Sequence, residues 1–345
     1  MRIELGWPMI LPKLAFVGST HQAPPWLIHS IRKHGTLEAV CDESPRRDVD
    51  VFQARWMYSD VAALLREAEP AGVIVFRPNN ERFGIIKQCL GSGASVLVPG
   101  IPCGAARWDR VATMSKLAGR TVVSASPSRF APGVSVARRL IESGKFGTPM
   151  SLALHITRRG TPREGLDDQG PVAADQVFEA ADLVQTLIGS IREVTSVAHQ
   201  EGALMVVGRT MTGTPFSLNL HASGPPESLG LELELRSVDG TCMRIEKTGQ
   251  LFCGNGSRVD AMYRPTLATS DPAVELGFDG LVGEFVRWVA AGSTMAADSV
   301  PCASVIASSE AILSSARSGH KVAVKRRAPL NYGQGPTTSR AQPVG

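Results

Sequence analysis

Residues 71–102 read AGVIVFRPNNERFGIIKQCLGSGASVLVPGIP, and their pattern decides the fold. Residues 73–76 are a continuous apolar run, as a parallel strand covered on both faces requires. A polar crest follows at Arg77, Pro78, Asn79 and Asn80, then a helix over about 82–90 and a second buried strand over 95–98. Gly91 and Gly93 are placed to end the helix and turn the chain back into the sheet. Ligands of doubly wound sheets sit beyond the carboxyl ends of the strands, so residues 77–80 and 99–102 should line one crevice.

Working outward, residues 13–17 (KLAFV) form a first strand, followed by Gly18-Ser19-Thr20-His21-Gln22-Ala23-Pro24-Pro25 and a helix over 26–34. Residues 37–41 (LEAVC) form a second strand ending at Asp42, and 56–58 a short third one, after which Ser59 caps a helix reaching Glu69. A helix over 107–118 and a strand over 121–124 complete the series. Strands alternating with helices of about ten residues argue for a parallel sheet with right-handed crossovers. Strand, glycine turn, helix, strand and acidic residue is a mononucleotide-binding order. The turn offers backbone N–H groups to a pyrophosphate, and the acid takes the ribose hydroxyls. That role falls to Gly18, Ser19, Thr20 and His21 in the turn and to Asp42, which stands 24 residues after Gly18 against a usual ~20. Only Gly18 of the full G-x-G-x-x-G is present, and Pro24-Pro25 remove two N–H donors. A carboxylate at Asp42 favours NAD; Arg46 and Arg47 keep NADP as the alternative.

The chain has 345 residues, 43% hydrophobic and 20% charged, with a formal charge of +4. That is an ordinary globular composition, long enough for two domains, and its scattered basic residues argue against nucleic-acid binding. Six cysteines without a C-x-x-C pair read as reduced thiols of a cytoplasmic protein, with no metal site. No apolar run approaches the roughly 20 residues of a membrane span, and residues 1–13 do not read as a signal peptide.

With these elements in place, residues 13–324 resemble the Gfo/Idh/MocA oxidoreductases. Arg77-Pro78-Asn79 stands where that family has a Thr-Pro-Asn crest, and residues 90–97 (LGSGASVL) match its next helix end and strand. Ser128-Arg129-Phe130-Ala131-Pro132 and Leu140-Ile141-Glu142-Ser143-Gly144-Lys145-Phe146-Gly147 match its Arg-Phe-x-Pro and I-x-S-G-x-L-G segments, the second being the most specific signature here. Residues 314–322 (SSARSGHKV) resemble its closing helix. The resemblance implies an α/β chain in two parts. A Rossmann-type doubly wound parallel sheet (13–126) is followed by an α+β domain with a large, mainly antiparallel open sheet (127–324), flanked by an N-terminal extension (1–12) and a disordered tail (325–345). It also implies an NAD(P)-dependent enzyme acting on a sugar, cyclitol or similar small molecule, assembled as a homodimer or homotetramer. Pro102 and Arg129 join the cofactor-binding set through it.

Two departures bear on chemistry. The family's lysine, in a Glu-Lys-Pro motif, falls on Gly100 or Ile101, and neither can donate a proton. Its Asp-x-Gly-x-His-x-x-Asp helix is represented by Asp175-Gln176-Val177-Phe178-Glu179-Ala180-Ala181-Asp182, with Glu179 at the histidine. Asp175 and Glu179, at i and i+4, become the catalytic candidates, because burial can raise a glutamate toward an acid/base role. With Asp182 a turn further, three carboxylates on one face could raise one another's pKa or bind a cation; otherwise Asp175 caps the helix and the others are ordinary polar residues.

Residues 150–157 (MSLALHIT) form an alternating strand followed by Arg158 and Arg159. His155, Arg158 and Asp182 are the candidate substrate contacts, His155 reading equally as a satisfied sheet residue. Short strands over 204–207, 216–221, 229–237, 242–247 and 250–253 and helices over 278–291 and 302–318 complete the second part. Two functions follow. One is an oxidoreductase with an altered site, Glu179 handling the proton. The other is a chain that has lost dehydrogenase activity and serves as a binding or regulatory protein, or as a cyclase or lyase in the same cleft.

Overall fold

A computed structural model describes residues 11–20, 23, 25–43, 52–157, 172–199, 202–222, 230–247, 249–255, 258–265, 271–292 and 302–325. The expectations for His21, Arg46, Arg47, Arg158, Arg159 and the tail beyond Lys325 lie outside them.

The first sheet has six parallel strands in the order β3-β2-β1-β4-β5-β6. These are β1 (Lys13–Gly18), β2 (Thr36–Cys41), β3 (Trp56–Tyr58), β4 (Gly72–Phe76), β5 (Ser95–Pro99) and β6 (Val122–Ala125). The order reverses between β1 and β4, so the crevice opens there. On one side α1 (Pro25–His34) packs Leu27, Ile28 and Ile31 against Leu14, Phe16 and Ile74. On the other, α2 (Val61–Ala68), α3 (Asn79–Gly91) and α4 (Ala105–Ala118) cover Val17, Val75 and Val98. Burying a side chain such as Ile74 contributes about 1.5–3 kcal/mol. Asp60, not Ser59, caps α2, its carboxylate accepting from the Ala63 N–H at 2.7 Å. α3 begins three residues earlier than its apolar pattern suggests, because Pro78 takes the N-cap position and Asn79 and Asn80 form the first turn.

The second sheet has nine strands in the order β14-β13-β12-β11-β7-β10-β9-β8-β15. They are β7 (Pro149–Thr157), β8 (Ile191–His199), β9 (Ala203–Thr210), β10 (Pro215–His221), β11 (Leu231–Ser237), β12 (Thr241–Ile245), β13 (Leu251–Asn255), β14 (Arg258–Tyr263) and β15 (Val322–Ala323). All of its neighbouring pairs are antiparallel except β7 with β10. Leu152, Leu154, Ile156, Leu231, Leu233 and Leu235 line its buried face under α6 (Ala174–Ile188) and α9 (Cys302–Ser318). α5 (Pro132–Glu142) and the short α7 (Pro272–Glu275) flank the sheet, while α8 (Phe278–Ala290) returns to the first sheet, where Leu281, Val282 and Phe285 join the α1 core. α6 therefore lies between the sheets, its N-terminal half against the ends of β5 and β6.

Candidate active site

The acidic stripe of α6 is legible in three separate contacts, made with α3 and with the segments that follow β5 and β6. Asp175 Oδ1 accepts from Arg82 Nη1 and from the Ile101 N–H, each at 2.8 Å, and Oδ2 accepts from Arg82 Nη2 at 2.8 Å. Glu179, 8% exposed, accepts a hydrogen bond from Ser128 Oγ. Asp182, 0% exposed, takes Arg129 Nη1 at 2.8 Å and the Ser126 N–H at 3.1 Å. No group of three His, Cys, Asp or Glu side chains among the described residues could hold a metal ion. The shared-cation idea is thereby corrected, and so is the alternative that Asp175 caps the helix, since Ala173 is the N-cap and makes no side-chain cap bond.

Gly100 explains why no lysine stands at the β5 end. Its φ is +123°, a conformation that side chains rarely adopt, and a Cβ there would lie 2.9 Å from Asp175 Cγ. Ile101 is 5% exposed. A cation nevertheless reaches this point. Arg82, 7% exposed, comes from the first turns of α3, donates Nε to the Arg77 carbonyl at 2.7 Å and Nη1 to the Ile101 carbonyl, and grips Asp175 with both terminal nitrogens. Asp175 keeps 44% of its side chain exposed, so this pair faces the cleft. Sequence reasoning missed Arg82. The only signal was a basic residue four after the crest proline, and its partner stands 93 positions away.

Several expectations change here. Asp182 is sealed from any substrate by complete burial and its ion pair, and Arg129 is held by that pair rather than left for a cofactor. Burial pushes the Asp182 carboxyl above the ordinary carboxylate range, while Arg129 and the Ser126 N–H pull it back. His155 lies on the open face of the second sheet, opposite α6, where its Nε2 is 3.1 Å from Asn219 Nδ2, so it is no substrate contact of this cleft. Asp42, 3% exposed, accepts from the Thr20 N–H (2.8 Å) and Oγ1 (2.6 Å). It braces the β1–α1 turn instead of presenting a free carboxylate to a ribose.

Of the turn, residues 18–20 and 23 are described. A Cβ on Gly18 would lie 2.9 Å from Phe16 Cζ and collide with the Phe76 carbonyl, so only glycine lets β1 and β4 approach there. The Ala23 N–H closes the turn on the Ser19 carbonyl at 3.1 Å. Pro78 and Asn79 stand at the crest, Pro102 is buried at the β5 end, and a cavity of about 180 Å³ opens among Val17, Cys41, Glu43, Asp60, Arg77 and Glu81.

Scanned against protein-family models the sequence matches none, and no curated protein matches it. Solved structures do. An oxidoreductase from Agrobacterium radiobacter, in complex with NAD+, L-tartaric acid and magnesium, superposes with a TM-score of 0.74 at 13% identity, covering 91% of this chain and 98% of that one. Levoglucosan dehydrogenase in complex with NADH and L-sorbose gives 0.75 at 14% identity, over 92% and 99%. Myo-inositol 2-dehydrogenase from Lactobacillus plantarum gives 0.73 at 14%, over 91% and 100%. These neighbours are oxidoreductases of the Gfo/Idh/MocA type. The chain has their fold. Two observations in the first sheet fit a dinucleotide: the side-chain-free approach at Gly18 and the cavity of about 180 Å³ beside the ends of β1 and β2.

Proposed function

We propose that this chain binds NAD and acts as an oxidoreductase on a hydroxylated small molecule, such as a sugar or cyclitol, through an altered catalytic site. One observation carries the reading: the Arg82–Asp175 pair places a guanidinium at residues 100–101, where the resemblance puts a lysine. Gly18, Ser19, Thr20, Arg77, Pro78, Asn79 and Pro102 would hold NAD, which when bound supplies the hydride acceptor. Arg82 cannot release a proton, so it positions a substrate oxygen. Asp175 Oδ2, with one bond from Arg82, accepts from a substrate hydroxyl beside it. A neutral polyol suits this net-neutral pair better than a carboxylate, which would meet Asp175. Glu179 takes and returns the proton one turn along, its carboxylate oriented by the Ser128 hydroxyl.

The second reading, a binding or non-redox module, is favoured by the partners that Asp175, Glu179 and Asp182 already have on α3 and after β6. Exposed Val197, Met205 and Val207 on the second sheet's open face support a homo-oligomer, and six free cysteines support a reducing compartment.

The test is NADH formation from NAD+ with myo-inositol, sorbose and levoglucosan. Wild-type turnover on one of them should drop on the order of 10²- to 10⁴-fold in Glu179→Gln, with the NADH-induced thermal shift intact. Retained turnover removes Glu179 from the reaction. A wild type that binds NADH yet oxidises none of the three points to the second reading.

A further inference from the structure

The segment leaving β5 touches both members of the cleft pair. The Gly100 N–H donates to the Ala125 carbonyl at 3.1 Å, and the Gly100 carbonyl accepts from Ser124 Oγ at 2.6 Å. The Ile101 N–H donates to Asp175 at 2.8 Å, and the Ile101 carbonyl accepts from Arg82. Between Ile101 and α4, Pro102 has no N–H to anchor it and Gly104 has no side chain to restrict it. α4 begins at Ala105, and its N-cap Gly104 makes no side-chain cap bond. The cap comes from the second half of the chain. Glu310, an exposed residue of α9, accepts from the Ala105 N–H at 2.7 Å. A Cβ on Gly104 would lie only 3.3 Å from the same carboxylate oxygen. α9 is itself fastened to α6 through Gln185, whose Nε2 donates to Ser308 Oγ at 3.1 Å while its Oε1 accepts from Ser304 Oγ at 2.7 Å.

We propose that Glu310 is a positioning residue of the cleft, holding residues 101–105 so that Ile101 meets Asp175 and Arg82. The inference rests on the oxidoreductase reading above. α6 holds the start of this segment through Asp175, and α9 holds its end through Glu310. A carboxylate at a helix N-terminus satisfies a donor that has no intrahelical partner and meets the positive end of the helix dipole. Without it the first turn of α4 frays toward Gly104, and the slack reaches Ile101 and the pair it touches. A shift of about 1 Å in a positioning group can cost on the order of 100-fold in rate.

Amide hydrogen exchange and steady-state kinetics test it on the wild type, Glu310→Ala and Glu310→Gln. The control is Asp271→Ala, which removes the cap of α7, where Asp271 accepts from the Ala273 N–H at 2.9 Å. In Glu310→Ala the Ile101 amide should exchange about 10-fold faster. Its kcat with NAD+ and the best of myo-inositol, sorbose and levoglucosan should fall on the order of 10- to 100-fold, with KM for NAD+ changed by less than about 3-fold. Glu310→Gln, which keeps the acceptor oxygen, should restore exchange and kcat to within about 3-fold of the wild type. Asp271→Ala should move neither. Faster exchange at Ala105 with Ile101 as protected as in the wild type overturns the inference and leaves Glu310 a helix cap. A loosened Ile101 with unchanged kcat overturns it too. A wild type inactive on all three compounds takes down the oxidoreductase reading instead. Exchange at Ile101 then decides whether Glu310 holds the segment, and an unmoved rate overturns that as well.

Discussion

Arg129→Met should destabilise the chain by about 3–5 kcal/mol, the usual cost of leaving a buried charge without its partner. Asp182 is 0% exposed and depends on that guanidinium at 2.8 Å; the Ser126 N–H alone cannot replace it. Urea unfolding at neutral pH checks the figure, and a loss below about 1 kcal/mol would contradict the clasp described here. Acid should partly rescue the variant. Burial raises the folded-state pKa of Asp182 above its unfolded value, so the folded chain takes up this proton first on acidification. The penalty of the charged form is complete above the folded pKa and is relieved as pH falls through it toward the ordinary aspartate value. Arg129 opposes the upward shift, so removing it should move the relief to higher pH. An unfolding midpoint in the variant that falls steadily with acid would be the opposite result.

Gly100→Lys, which restores a lysine at the β5 end, should also be costly, about 3–6 kcal/mol. The φ of +123° strains any side chain there by roughly 1–3 kcal/mol. The new Cβ must also displace the Asp175 carboxylate from the Ile101 N–H, and a hydrogen bond to a charged group is worth about 1.5–3 kcal/mol. Arg82 would then lose its partner while a second cation crowds the same point. The account expects a large fall in the denaturation midpoint and no gain in turnover. A variant as stable as the wild type, with its lysine seated in the cleft, would show that Arg82 has not taken over the position.

These two sites mark the boundary of what the chain discloses in one dimension. The Rossmann strands were legible because each is a short apolar run between turn residues, and residues 302–318 are helical as expected. Strand β8 was hidden by a register shift between Ile191 and Glu193 that breaks its alternation. β14 was hidden because it is an edge strand with an almost wholly exposed face. In the cleft, helical spacing put Asp175, Glu179 and Asp182 on one face, but where that face points is decided by packing between the two sheets. Each carboxylate found a partner 51 to 93 positions away, a distance over which spacing carries no signal. Asp42 is engaged locally for a reason that composition does not display: Thr20, at the second glycine position of the motif, has a hydroxyl that folds back onto it.

Titration of the purified wild-type chain with NADH, followed by calorimetry, tests the central claim most directly. Saturable binding of one NADH per chain, persisting in Glu179→Gln, is the result that a nucleotide crevice served by Arg82 and Asp175 predicts. No heat of binding with NADH or NADPH at millimolar concentration would contradict it, and would leave the fold without the cofactor its crevice fits.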